Sequence, residues 1–212
     1  MSTPIEDEFR IGASPTVGMY VLPGEVIDSI HNKVNCKIKL IIAPSNEIIK
    51  ALKEKKLDLG FIEFPIFDNA LVYREWMEDE MVLCSKKKLK KSLKREDLAS
   101  CRIVCRETNS LNRIFIENFF QTQGMSHNDF NAISEVDDTT AIIQSIKWSK
   151  PHNPITAVAM VSKISIEYEL KYNDLYSSNI NNIPLTRNFY ILYEEGLKNH
   201  NVIQKICDEL LE

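Results

Sequence analysis

Residues able to hold a small polar ligand recur at four places in this 212-residue chain. Ser14-Pro15-Thr16, Ser45-Asn46, Thr108-Asn109-Ser110 and Asp138-Thr139-Thr140 each stand where an apolar run gives way to helical spacing. A helix N-terminus carries unpaired N–H groups and the positive end of the helix dipole, so it holds carboxylate, sulfate or phosphate. The same residue types also act as ordinary helix caps, and a single junction fits either reading. Four junctions at one end of parallel strands make a shared ligand site the expectation. Glu63 closes another apolar run and joins them. The candidate ligand residues are Ser14, Thr16, Ser45, Asn46, Glu63, Thr108, Asn109, Ser110, Asp138 and Thr139. Helix ends and neutral donors favour an anionic effector. Glu63 and Asp138 favour an amine, so an amphoteric one also fits.

No catalytic constellation accompanies these junctions. His31, His127, His152 and His200 lie far apart and lack metal-ligand spacing, so each is expected at the surface. The sequence holds no G-x-S-x-G, H-E-x-x-H, G-x-x-x-x-G-K or G-x-G-x-x-G. The expectation is therefore no catalytic residue, no metal and no cofactor. Five cysteines, Cys36, Cys84, Cys101, Cys105 and Cys207, form no C-x-x-C pair and suit a reducing cytoplasm. On a strand, Cys101 and Cys105 stand roughly 13 Å apart on one face, too far for a disulfide. Buried, reduced thiols are expected there, with a redox switch as the alternative.

The elements that must position the junctions follow from hydrophobic spacing. Phe9–Ser14 reads as a strand, the Val17–Ile30 region as helix interrupted by Pro23-Gly24, and Cys36–Ile42 as a strand. A helix follows with Ile48, Ile49 and Leu52 on one face, then a strand over Leu57–Glu63. Such alternation implies a parallel sheet flanked by helices. Leu71–Glu75 and Glu80–Ser85 read as two extended pieces. The alternation then restarts with strand Cys101–Arg106, helix Ser110–Gln123, strand Ala132–Val136, helix Asp138–Trp148 and strand Ile155–Val161. A short helix over Ile164–Leu170 precedes strands at Leu175–Ile180 and Asn188–Tyr193. Val202, Ile203, Ile206, Cys207, Leu210 and Leu211 mark a last helix. The fold class is α/β in two lobes, residues 1–86 with 187–212 and residues 87–186. Each lobe is a mixed, mostly parallel sheet flanked by helices.

Composition narrows the function. Apolar residues make up 44% and charged residues 26%, which is globular composition. A formal net charge of −4 disfavours nucleic-acid binding over the whole surface. Seven of the ten residues from Lys86 to Arg95 are basic, which reads as a solvated crossover. No run approaches ~18 apolar residues. Met1–Arg10 carries Glu6, Asp7 and Glu8 without an apolar core and is not expected to be a secretory signal.

Several stretches together resemble the effector-binding domain of LysR-type transcriptional regulators. They are Phe9-Arg10-Ile11-Gly12-Ala13-Ser14 followed by Leu22-Pro23, Leu57-Asp58-Leu59-Gly60-Phe61-Ile62-Glu63 with Pro65, and Trp76-Met77-Glu78-Asp79-Glu80. Arg106-Glu107-Thr108-Asn109-Ser110-Leu111-Asn112-Arg113 is similar to an Arg-Glu-Pro-Gly-Ser-Gly-Thr-Arg stretch of one branch. Leu185-Thr186-Arg187-Asn188-Phe189 resembles the Arg-containing return strand. The resemblance runs from about residue 9 to the end, in the family's order. It implies a type 2 periplasmic-binding-protein-like fold with two crossovers and a small-molecule effector between the lobes. The winged helix-turn-helix domain that normally precedes is expected to be missing. Asn109 and Leu111 replace the two glycines, and Ser149-Lys150-Pro151-His152-Asn153-Pro154 replaces a Gly-Leu-Gly turn.

The function this implies is a cytoplasmic, ligand-sensing regulatory domain, not an enzyme, that contacts DNA only through the missing domain and no membrane. Two rivals share the fold: a solute-binding protein feeding a transporter, and a prephenate dehydratase-like lyase. A homodimer is expected, with the full-length protein a tetramer. In it the Cys36–Ile42 strand and its preceding helix meet the Ser110–Gln123 helix of the other chain. Leu111, Ile114, Phe115, Ile116, Phe119 and Phe120 cover more than the one stripe a helix needs to dock on its own sheet.

Overall fold

The computed structural model describes residues 8–211. In chain order the elements are β1 (Glu8–Ala13), α1 (Pro15–Tyr20), α2 (Glu25–Val34), β2 (Lys37–Ile42), α3 (Ser45–Lys53), β3 (Leu59–Ile62), β4 (Leu71–Ser85), β5 (Ser92–Leu93) and α4 (Arg95–Leu98). There follow β6 (Cys101–Cys105), α5 (Leu111–Thr122), β7 (Ala132–Glu135), α6 (Thr139–Lys147), β8 (Thr156–Ser162), α7 (Glu167–Lys171), β9 (Tyr176–Ile180), β10 (Leu185–Glu194) and α8 (Asn201–Leu211). The chain divides into two compact units. The described residues up to Glu78 join those from Arg187 onward in the first, and Asp79–Thr186 form the second. The first passage falls at Glu78/Asp79 rather than at 86/87. The two extended pieces expected there are one continuous strand, β4, whose Met81–Ser85 stretch is laddered to β8 within the second unit.

In the first unit β1 is flanked by parallel partners, β2 in register Glu8↔Lys37 to Ala13↔Ile42 and β3 in register Ile11↔Leu59 to Ala13↔Phe61. β10 closes the unit antiparallel to β3. α3 packs Ile48, Ile49 and Leu52 against Leu57, Ile62 and Leu192. Two glycines allow this close approach. Gly12 and Gly60 are register partners. A Cβ at Gly60 would stand 2.7 Å from Leu52 Cδ1, and one at Gly12 2.8 Å from Ile48 Cδ1. Asp58 ties the entry of β3 to β1, accepting from the Arg10 backbone N–H at 2.7 Å and from its guanidinium at 2.9 and 3.0 Å. Pro23-Gly24 divides the expected first helix into α1 and α2, with Gly24 at φ 91°, a backbone that glycine adopts readily.

In the second unit β6 lies parallel to β7 on one side and β8 on the other, while β4 runs antiparallel to β8 and β9. Ile103 and Cys105 face a core that includes Ile116, Phe119, Phe120 and Phe130. α6 buries Ile142, Ile143 and Ile146. The basic stretch after β4 is a solvated segment in which Lys86 and Lys90 pair with Asp174 and Asp97. His127 corrects an expectation. It is 5% exposed, because the rings of Phe120 on α5 and of Phe130 pack beside it and shield it. The aromatic excess on α5 also resolves inward. Phe119 and Phe120 are buried in their own unit, and only Leu111 and Ile114 of that set are exposed.

Candidate functional site

In the first unit the site is organised by Glu63, which follows β3 and is 4% exposed. Its Oε1 accepts from Ser14 Oγ at 3.2 Å and from the Thr16 backbone N–H at 2.7 Å. Its Oε2 accepts from Arg187 Nη1 at 3.0 Å. Arg187 enters from β10, and its guanidinium carbon lies 5.1 Å from the Phe64 ring and 5.5 Å from the Phe189 ring. Parallel pairing of β1 and β3 brings Ser14 and Glu63 together, and the Ser14 N–H donates to Phe61 O at 2.9 Å.

The result differs from ordinary capping. Ser14 stands at the N-cap of α1, yet its hydroxyl makes no cap bond. The Glu63 carboxylate takes that place, accepting one of the orphan N–H groups of α1 and facing the positive end of its dipole. An internal carboxylate thus occupies a position where an anionic ligand would otherwise be received. Ser45 is buried but makes no cap bond either, because α3 begins at Ser45 itself with Pro44 preceding it. Asn46 is exposed in the first turn. Among the described residues neither bonds to the Glu63 group.

In the second unit, Asp138 caps α6 as expected of its type, accepting from the Ala141 N–H at 2.7 Å. Thr139 is buried and its Oγ1 accepts from Arg106 Nη1 at 3.3 Å. Arg106 also forms a forked pair with Glu107 at 2.8 and 2.9 Å, which holds the Glu107 carboxyl below its ordinary pKa. Thr108 and Asn109 are exposed, and Ser110 stands at the N-cap of α5 with no side-chain cap bond. Behind this end of α5, buried Arg113 bonds Arg106 O at 3.1 Å and Glu117 at 2.6 Å, and donates to Cys105 Sγ. His127 Nδ1 lies 3.5 Å from the same Glu117 carboxylate. Burial, together with the Arg113 charge, pushes His127 down to about 4.

The structure therefore unites Ser14, Thr16 and Glu63 in one unit, and Asp138, Thr139 and the Thr108–Ser110 turn near Arg106 in the other. Sequence reasoning did not place Arg187 or Arg106 among the ligand residues. Their signal was present in Leu185-Thr186-Arg187 and in Arg106-Glu107, each an arginine at a strand end next to a polar residue. Burial pushes the Cys101 and Cys105 thiols above their ordinary pKa, and Cys84 up to about 12.

The LysR substrate binding domain profile matches residues 2–212, and the chain belongs to that family. The family consists of parts of transcriptional regulators, not enzymes. Among curated relatives, the probable RuBisCO transcriptional regulator of Trieres chinensis is 24% identical over 209 residues, covering 94% of this chain and 66% of that protein. The uncharacterized HTH-type regulator YeiE of Escherichia coli K12 is 34% identical over 74 residues, covering 35% of this chain and 25% of that protein. The chain thus spans between a quarter and about two thirds of the length of these relatives. The Synechocystis PCC6803 CcmR regulatory domain, solved in complex with 2-PG, superposes with a TM-score of 0.77. It is 18% identical, and the match covers 96% of this chain and 95% of that one, a likeness of fold. The fold is accordingly that of LysR effector-binding domains, of the periplasmic-binding-protein-like type. Among the described residues no helix is long and apolar enough to cross a membrane.

Proposed function

We propose that this chain is the sensing part of a LysR-type regulator, which binds a small metabolite through polar groups at the carboxyl ends of its strands. The observation that carries this reading is the buried Ser14–Thr16–Glu63–Arg187 network at the ends of β1 and β3. A fold alone needs no such cluster, since a buried ion pair is a poor source of stability. Related domains bind small molecules, 2-PG in CcmR and shikimate in QuiR.

The network also bears on ligand charge. Glu63 and Arg187 neutralise each other, so this half favours a hydroxyl or amine over a bare anion. The open Ser110 end of α5 favours a negative group. We read the effector as a small anionic or amphoteric metabolite. Effector binding acts by shifting populations between two arrangements, by no more than its difference in affinity for them. The readout passes to DNA through a helix-turn-helix domain outside this sequence, in the cytoplasm. The assembly is a homodimer in which β2 and α2 meet α5 of the partner, with Leu111 and Ile114 as its exposed apolar contacts.

A thermal-shift screen of amino acids, hydroxy acids and simple carboxylates tests the reading. A ligand at a hundred times its Kd stabilises by about 2.7 kcal/mol. At roughly 2–4 °C per kcal/mol for a chain of this size, the expected rise is about 5–10 °C. A screen in which only compounds without any polar donor raise the melting temperature overturns it.

A further inference from the structure

Asp79–Thr186 holds a cavity that none of the candidate ligand residues lines. It has a volume of about 400 Å³ and lies over the face of β6, β7 and β8 that carries Arg102, Val104, Ser134 and Ala157, beside the end of α6 at Trp148. Its lining includes the cationic Arg102 and Lys150 and the apolar Val104, Ile155 and Trp148. No residue lining it is acidic.

The charge here is unusual for this chain. Arg10, Arg95, Arg106, Arg113 and Arg187 each face a carboxylate, and Arg74 is bonded to Tyr193 with Asp208 nearby. Arg102 is half-buried, and its one hydrogen bond among the described residues is Nη1 to Ser134 Oγ at 2.6 Å. A guanidinium offers five N–H donors in a planar fork that matches a carboxylate. A partly desolvated cation without a counter-ion is costly, and a bound anion removes that cost. The loop that supplies Lys150 is the Ser149–Pro154 stretch that departs from the resembled family's glycine turn. Trp148 is 78% exposed, with its Nε1–H bonded to Gln144 Oε1 at 2.9 Å, so a large ring surface stands free beside the charge.

We propose that this cavity is a second ligand site, distinct from the strand-end groups, that takes a small apolar carboxylate. The carboxylate pairs with Arg102 and Lys150 while an apolar ring or short chain lies against Val104, Ile155 and Trp148. The size fits a single ring with a short acid arm, and the paired cations with apolar walls disfavour a fully hydrated inorganic anion.

The test is a titration of the ¹⁵N-labelled chain with phenylacetate, with phenylacetamide and inorganic phosphate as controls, followed through the Trp148 indole N–H and the residue 102 amide. Saturable shifts at both are expected with phenylacetate, with affinity at least about tenfold weaker for phenylacetamide, which lacks the charge. Arg102→Met keeps the aliphatic stem and should weaken binding at least about tenfold. Trp148→Ala, at a position 78% exposed, should weaken it severalfold while the Arg102 amide still reports. Equal binding of acid and amide, stronger binding of phosphate, shifts confined to Ser110 and Thr139, or no saturation below 20 mM (about 2.3 kcal/mol of affinity) each overturn the proposal. A negative result leaves the effector reading of the strand-end groups standing, since none of those residues lines this cavity.

Discussion

Replacing Glu63 by Gln separates the two tasks its carboxylate performs. Gln retains a carbonyl oxygen to accept from Ser14 and Thr16, but it removes the charge that faces Arg187. Breaking a buried pair from one side costs about 3–5 kcal/mol, because the remaining charge is stranded. Both side chains are buried, at 3% and 4% exposure, so solvent does not screen the loss. The retained acceptor bonds place the cost near the lower bound, about 3 kcal/mol. Arg187→Met strands the carboxylate instead and costs a similar amount. The double variant strands neither charge and should be more stable than either single one, a coupling of at least about 3 kcal/mol. Trp76, in van der Waals range of Phe61 with ring centroids 5.1 Å apart, reports on the first unit, and Trp148→Phe silences the only other tryptophan. With a urea slope of about 2 kcal/mol per molar, each single variant lowers the Trp76 midpoint by about 1.5 M. A double variant clearly less stable than both singles refutes the reasoning, because the pair would then contribute nothing as a pair.

Four further outcomes follow from other parts of the structure. Gly60→Ala should destabilise the first unit by about 1–3 kcal/mol in the same urea assay, since its Cβ would press on Leu52 and Ile48. His127 is held near 4 in the folded chain and is ordinary when unfolded, so the unfolded state binds the proton first. Its contribution to stability is full above about 6.5 and is lost as pH falls toward 4, and thermal melts of His127→Gln should show a flatter pH dependence over that window. Thiol titration of the folded chain should find Cys36 reacting ahead of the four buried cysteines. Ile114→Glu should weaken the proposed homodimer in sedimentation at micromolar concentration without unfolding the chain, because the side chain is 41% exposed where Phe119 is 8% exposed.

Much of this architecture is written in local spacing. The strand–helix alternation and the two groups of elements follow from periodicity and from Ser-Pro and Pro-Gly punctuation, since each element owes its form to neighbours in sequence. The junction residues were legible for the same reason. What spacing could not supply was which polar groups bond to one another. Ser14 and Glu63 are brought together by the β1–β3 pairing, and Arg187 reaches them only through β10, which returns from the far end of the chain. Ser14 therefore reads as a helix cap in isolation and acts as a donor to Glu63 in the fold. His127 reads as a surface residue because its shielding comes from Phe120 and Phe130, and no helical or strand period connects the three. The aromatic excess on α5 was visible, but its allocation between core and surface depends on how far the helix rotates over β6.

The self-satisfied network in the first unit constrains how an effector can act there. A ligand group that only replaces the Glu63 carboxylate on Thr16 and Arg187 exchanges one set of charge-assisted bonds for another and leaves an expelled carboxylate to be resolvated. Such an exchange supplies little differential affinity, and differential affinity is the only quantity that shifts a conformational equilibrium. A ligand that adds a donor to Glu63, leaving Ser14, Thr16 and Arg187 in place, incurs no such cost. On the proposed reading the geometry therefore favours recognition by addition over displacement in this unit, with Glu63 as an acceptor for a hydroxyl or amine. In the second unit Arg106 is already committed to Glu107 and Thr139, so selectivity for the anionic part falls to the neutral donors around Ser110. Neutral donors discriminate by geometry more than by charge, so on the proposed reading selectivity in that unit rests on where its N–H and hydroxyl donors stand.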